Sequence, residues 1–336
     1  MPGKRRGDRK DGSVTAQALW TISENRFAVR DASPALAGPG DVVLRALYSG
    51  ISRGTEGLVA RGAVPDSEHE RMRCPNQEGD FPFPVKYGYA LVGEIVQGPA
   101  SRIGQICFAL HPHQTRTVLP AVAAHPLPEG LPARRAVLAA NMETAVNIAW
   151  DSGAGPGDRV LVVGAGVVGL LTAHVLSGIP GTEVAVADIA PDRAEVAEAL
   201  GLAFLHPDQT PPDRDIAINT SASAAGLRCA LASAGQGARV VEASWHGTAD
   251  VSLPLGGAFH ARRLALVSSQ VGDLPADRKP RWNYARRLGL ALRLLRDAPV
   301  LDRLLTHDIP LADAPDRLPA LLAPGADALC PVLTYP

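Results

Sequence analysis

The chain has 336 residues, 46% hydrophobic and 20% charged, with a formal net charge of -1. That length exceeds what one core usually serves, so two domains are expected, and the composition excludes a disordered or fibrous chain. Near-neutral charge supplies no long-range field, so neither nucleic acid nor an anionic membrane is implied as a partner.

The first residues, MPGKRRGDRKDG, are basic and lack a following apolar run, so 1–13 reads as a frayed tail and not as a signal peptide or membrane anchor. From Val14 to about Pro128, short apolar runs such as DVVLRALYSGIS, LVGEIVQG and GQICFALH are punctuated by Gly and Pro, the mark of a strand-rich domain. Residues 60–84 are polar, aperiodic and Pro-containing, and are expected to form a long surface loop. Helix formers take over at LPARRAVLAANMETAVNIAW. After SGAGPGDR, strand and helix patterns alternate: RVLVVGAG with VVGLLTAHVLSG, EVAVADI with PDRAEVAEALG, DIAINT with AAGLRCALASAG, then ARVVEAS. Alternation of this kind predicts βαβ units with a buried parallel sheet. The stretch RKPRWNYARRLGLALRLLRD predicts an amphipathic helix with a basic face, and CPVLTYP a closing strand. Cys74, Cys107, Cys229 and Cys330 have no CxxC spacing, which fits idle thiols in a reducing cytoplasm.

The strongest motif is LVVGAGVVGLL. Gly164, Gly166 and Gly169 stand in GxGxxG spacing after an apolar strand and at the start of a helix. Such a turn lets backbone approach a pyrophosphate, and the helix start, with Val167 and Val168, offers amides to it. Asp188 follows Gly169 by 19 residues, near the separation expected of the acid that receives the adenine ribose hydroxyls, with Ile189 beside it. A carboxylate there repels a 2′-phosphate, so NAD is the expected cofactor over NADP. Arg193 is the counterweight: it either meets a phosphate or lies on the outer face of its helix. Thr220, Ser221, Ser244 and Trp245, then Ser269 and Gln270, fall at the carboxyl edge of later strands, where ligands bind open α/β sheets; turn chemistry explains each equally well.

With these motifs in order, the chain resembles the medium-chain dehydrogenase/reductase family over nearly its whole length. The matching stretches are SGISRGTE, KYGYALVGEIV, GPGDRVLVVGAGVVG and LLTHDIPLADAPD. It is most similar to a zinc-free branch that includes bacteriochlorophyllide-type hydroxyethyl dehydrogenases. The resemblance implies an α/β fold class: a GroES-like β-barrel catalytic domain from 14–130 and 272–336, with a Rossmann domain at 131–271 between them. It also implies a homodimer and a small-molecule substrate bound in the cleft. Where zinc-dependent members carry a Cys, a His-Glu and a further thiolate, this chain has Ser52, Tyr89 with Ala90, and the cysteine-free LAANMETA. Those residues cannot supply zinc ligands, so no catalytic metal is expected.

Without a metal, side chains must hold the reacting oxygen and take its proton. Tyr89, at the place of the lost histidine, and the hydroxyl of Ser52 are candidates, against a packing role for Tyr89. Tyr87 and Tyr89 share one face of an extended strand while Lys86 points to the other, so Lys86 reaches Tyr89 only if the chain bends at Gly88. Glu143 is a candidate base in an apolar helix, or a partner of Asn147 one turn on. His111 and His113 stand as a relay or substrate contact, or as ordinary histidines. Arg53 and Glu56 are expected near the cleft, Arg53 binding a substrate oxygen or neutralising Glu56. Trp282 is a candidate for the substrate mouth. The expected activity is reversible oxidation of a secondary alcohol on a polar or cyclic small molecule. An NADPH-linked enone or quinone reductase and a nucleotide-binding protein without turnover are the alternatives.

Overall fold

The computed structural model describes residues 16–336, so the tail expected at 1–13 lies outside the described residues. Six parallel strands form one sheet in the spatial order Ala203–Leu205, Glu183–Ala187, Arg159–Val163, Arg214–Asn219, Ala234–Glu242, Ala265–Ser268. This is the doubly wound dinucleotide-binding order, in which the first strand lies centrally and the chain reverses beside it. The central strands are apolar on both faces because helices cover both. Val160, Leu161, Val162 and Val163 are all buried, as are Ala217 and Ile218.

The strands before residue 127 and after residue 304 form two further sheets. One is four-stranded, with Ala16–Ser23 between Arg26–Ala32 and Val85–Lys86. The other runs Leu305–Pro310, Cys330–Thr334, Asp41–Gly50, Leu91–Gln97, Ile106–Ala109 and His125–Pro126, with Arg116–Pro120 also paired to Asp41–Gly50. The chain is thus α/β, a GroES-like barrel beside a Rossmann sheet. The largest apolar cluster contains Ala90 and Phe108 of the barrel, Met142 and Ile148 of helix Ala139–Ser152, and Val160 and Leu170 of the Rossmann sheet and its first helix. Residues 60–84 are less of a surface loop than expected: Val64, Cys74 and Phe81 are buried, packed with Leu58 and Tyr87.

Helix Tyr284–Asp297 is amphipathic as its pattern predicts, with Leu288, Ala291, Leu292 and Leu295 buried. The Asn283 side chain caps it, accepting from the Arg286 amide at 2.8 Å. Among the described residues no helix is long and apolar enough to cross a membrane.

Candidate active site

The glycine turn is shaped by close backbone contacts. Gly164 has φ +107°, and a Cβ there would lie 2.8 Å from the Ser221 amide nitrogen. A Cβ on Gly169 would lie 1.9 Å from the Gly164 carbonyl oxygen, so helix Val167–Ser177 approaches the first strand as only glycine permits. At Gly166 nothing lies within 4 Å of the Cβ position. The open side of the turn therefore faces the start of an eleven-residue helix, where free amides and the helix dipole suit a diphosphate. Asp188 closes the turn: its Oδ2 accepts from the Ala165 amide at 2.6 Å and its Oδ1 from the Ala190 amide at 2.9 Å. Each carboxylate oxygen keeps a further lone pair for a ribose hydroxyl. Ile189 is 77% exposed beside it, an apolar edge with no protein neighbour covering it.

Other candidates from the sequence are already engaged. Thr220 donates to the carbonyls of Val163 and Gly164, and Ser221 to Asn219 Oδ1. Ser244 Oγ accepts from the Ala222 amide at 2.9 Å. Ser269 donates to Asp151 of helix Ala139–Ser152 at 2.6 Å, and Gln270 Oε1 accepts from the Gly272 amide within a turn. Arg193 reaches neither phosphate nor solvent in the way expected: its guanidinium donates to the carbonyls of Ala326 and Ala328. Arg53 does likewise, donating to Leu321, Ala323 and Ala328, which corrects both a substrate role and a pairing with Glu56. Burial, and next the neighbouring Arg193 charge, hold the Arg53 pKa down.

In the barrel, Gly88 bends the chain at φ +130°, yet Lys86 does not turn to Tyr89. Its buried ammonium donates to Glu78 and, at 2.7 Å, to Gln114, so it is a satisfied structural cation. Tyr87 packs beside Leu58, Val59, Phe81 and Val85 and stacks edge-on to Tyr89 with ring centroids 6.1 Å apart. Burial pushes the Tyr89 phenol up to about 12, aided by the Glu56 charge, while hydrogen bonding with the Ser52 and Thr55 hydroxyls pulls the other way. Trp245, three residues beyond the strand end at Glu242, packs against the same group. Tyr89 therefore stands where the barrel meets the carboxyl edge of the parallel sheet.

The two histidines of HPH part company. His111 Nδ1 lies 2.8 Å from the Pro112 carbonyl, which can only accept, so Nε2 must accept from Thr117 Oγ1 at 2.7 Å. This neutral, fully partnered imidazole is a core residue and not a substrate contact. Burial lowers its pKa to about 4 from an ordinary 6.5. The unfolded chain then takes up a proton between those values while the folded chain does not. Stability contributed by His111 is complete above about pH 6.5 and falls as pH drops toward 4, by at most on the order of 3 kcal/mol. Denaturant melts across that range should show the loss, and His111→Gln should flatten it; superimposable curves would refute the assignment. His113 instead faces Glu56, with Nε2 at 2.9 Å from Oε2, and contacts Ser49 Oγ at 2.8 Å through Nδ1.

Glu143 is not a free base. Arg287 donates to it at 3.1 Å, to Asn147 at 2.8 Å and to the Val271 carbonyl at 2.8 Å, and both charged side chains are buried. Trp282 packs against Trp150, with ring centroids 4.7 Å apart and planes tilted by 57°, and the Arg286 guanidinium lies 4.0 Å over its ring.

A group absent from the sequence reading lies at the sheet's carboxyl edge. Glu242 accepts from Asn219 Nδ2 at 2.8 Å and from the Ser244 amide at 2.7 Å, and His246 Nε2 stands 3.4 Å from it with no hydrogen-bond partner. A charge ending the apolar run ARVVE is the signal that could have found it. Among the described residues no three His, Cys, Asp or Glu side chains come together as metal ligands would.

No family model matches the chain. A curated relative, the (R,R)-butanediol dehydrogenase of Saccharomyces cerevisiae, is 33% identical over 84 residues, which are 25% of this chain and 22% of the relative. Solved structures match far more widely. The L-idonate 5-dehydrogenase of Escherichia coli K-12 aligns over 96% of this chain and 99% of its own, at 14% identity and a TM-score of 0.75 or better, namely 0.78. An E. coli CFT073 short chain alcohol dehydrogenase complexed with NADH aligns over the same shares, at 19% identity and a TM-score of 0.75. At these identities, what is shared is the fold.

Proposed function

We propose that this chain is an NAD-dependent, zinc-independent dehydrogenase that reversibly oxidises a secondary alcohol of a polar or cyclic small molecule. The observation that carries this reading is the placement of the Tyr89 hydroxyl. It stands near Ser52, Thr55 and Glu56, on an apolar cluster against which Trp245 also packs, at the edge of the sheet whose glycine turn is open to a diphosphate. The amides at Gly166, Val167 and Val168 would hold the cofactor phosphates, Asp188 its ribose, and Ile189 one face of its adenine. When bound, the nicotinamide supplies a hydride acceptor.

The protein's own part is to hold the alcohol oxygen and move its proton. In the oxidation, the Tyr89 phenol oxygen, kept in its neutral form by burial, accepts the hydrogen bond of the substrate O–H and so aligns the proton that must leave as the C–H bond breaks. The butanediol and idonate activities of the matched proteins favour vicinal diols and polyols as first probes.

Asp188 carries the cofactor preference. NADH is expected to bind more tightly than NADPH, and Asp188→Ala to narrow that ratio by about tenfold or more, since one charged hydrogen bond contributes roughly 1.5–3 kcal/mol. Fluorescence titration of both nucleotides on both proteins measures it. An unchanged ratio would remove the ribose assignment, and a wild-type preference for NADPH would favour the reductase reading.

A further inference from the structure

Four groups in the barrel, Tyr335, Ser49, His113 and Glu56, form one directed chain of hydrogen bonds, and its direction follows from the carboxylate at its end. Tyr335 lies 2.7 Å from Ser49 Oγ, and Ser49 Oγ lies 2.8 Å from His113 Nδ1. At the other end the Glu56 carboxylate can only accept, so His113 must present Nε2–H to its Oε2 at 2.9 Å. With Nε2 protonated in a neutral ring, Nδ1 accepts from Ser49 and Ser49 from Tyr335. All the hydrogens then point one way, toward Glu56. Chains polarised in a single sense strengthen each link, and this one is sealed: Ser49 and His113 have no exposed surface.

The second Glu56 oxygen accepts from the Ser52 amide at 2.8 Å, the amide of the same residue whose hydroxyl lies near the Tyr89 phenol. Gly88 is fitted to the same arrangement, because a Cβ there would lie 2.6 Å from His113 Nε2. A carboxylate held by two donors is fixed in orientation. The Tyr89 phenol, kept protonated, is by contrast a poor final resting place for a proton.

We propose that Glu56 is the final proton acceptor of the reaction, and that His113, Ser49 and Tyr335 are positioning residues that hold it aimed at the Tyr89 group. This rests on the dehydrogenase reading above. The step balances as follows: a bound oxidised nicotinamide would supply the acceptor for the alcohol C–H hydride, and the alcohol O–H proton passes to the Tyr89 oxygen. Tyr89 gives up its own proton, which crosses the Ser52 or Thr55 hydroxyl to Glu56. Alcohol, oxidised nicotinamide and carboxylate thus become ketone, reduced nicotinamide and carboxylic acid, and the acid returns its proton to water after product release.

The test uses the full chain with a panel of secondary alcohols, diols and polyols and either nucleotide. Glu56→Gln keeps a hydrogen-bonding side chain of the same length and is expected to lower kcat by about 10²-fold or more with NADH affinity unchanged. Glu56→Asp is expected to restore part of that loss. Tyr335→Phe, far from any nucleotide, is expected to lower kcat by about threefold to tenfold at unchanged KM. In the same variant, nitrogen-15 spectra should show His113 losing the fixed tautomer, Nδ1 bare and Nε2 protonated, that wild type displays. Should Glu56→Gln fold poorly, the Tyr335→Phe kinetics and the wild-type His113 tautomer decide the matter. Full turnover in Glu56→Gln, or a wild-type His113 with Nδ1 protonated, would overturn the proposal while leaving the dehydrogenase reading intact. No wild-type turnover across the panel would overturn both.

Discussion

Removing a single oxygen, in Tyr89→Phe, is expected to lower turnover by about 10²- to 10⁴-fold, the range spanned by a positioned proton-transfer group. The aromatic ring would stay packed against Tyr87 and the apolar cluster, so NADH affinity and the melting temperature should hardly move. That combination separates a chemical role from a packing one. Steady-state kinetics with any accepted alcohol, alongside nucleotide titration, provides the measurement. Full activity in the variant would return Tyr89 to the hydrophobic cluster it borders.

The second large effect concerns stability. Arg287→Ala should cost about 3–5 kcal/mol, because it leaves Glu143 buried without its cation and strips a donor from Asn147 and from the Val271 carbonyl. Burial already pushes the Glu143 carboxyl upward and Arg287 restrains it, so in the variant Glu143 should be protonated more readily. Arg287→Met with Glu143→Leu, which replaces both charges by apolar groups, should recover most of the loss. Urea denaturation of wild type, Arg287→Met, Glu143→Leu and the double variant forms the double-mutant cycle. Near-additive losses would mean the pair is not coupled.

The parallel sheet was legible in the sequence because its determinants are local. Apolar runs such as RVLVV and IAI, glycines at fixed spacing, and an acid at the end of the second strand are read within a few dozen residues. Helix Tyr284–Asp297 was legible for the same reason. The candidate site was less so, because its outcome depends on partners distant along the chain. Arg287 meets Glu143 across 144 positions, and Arg53 meets Leu321 across 268. Lys86 and Arg53 looked available only while Gln114 and the 321–328 carbonyls were out of view. Even adjacent residues diverged: one histidine of HPH is tied to the neighbouring proline carbonyl, while the other points across the barrel to Glu56, 57 positions away. Nothing local distinguishes them.

The barrel's closing strand has a consequence for biosynthesis. Gly50 pairs with Val332, so the strand Asp41–Gly50 leaves the ribosome about 280 residues before one of its neighbours, roughly 15 to 60 s at ordinary elongation rates. The nucleotide sheet, complete by Ser268, can assemble during that wait. The nascent barrel cannot, and its unpaired edge is then the stretch most in need of a chaperone.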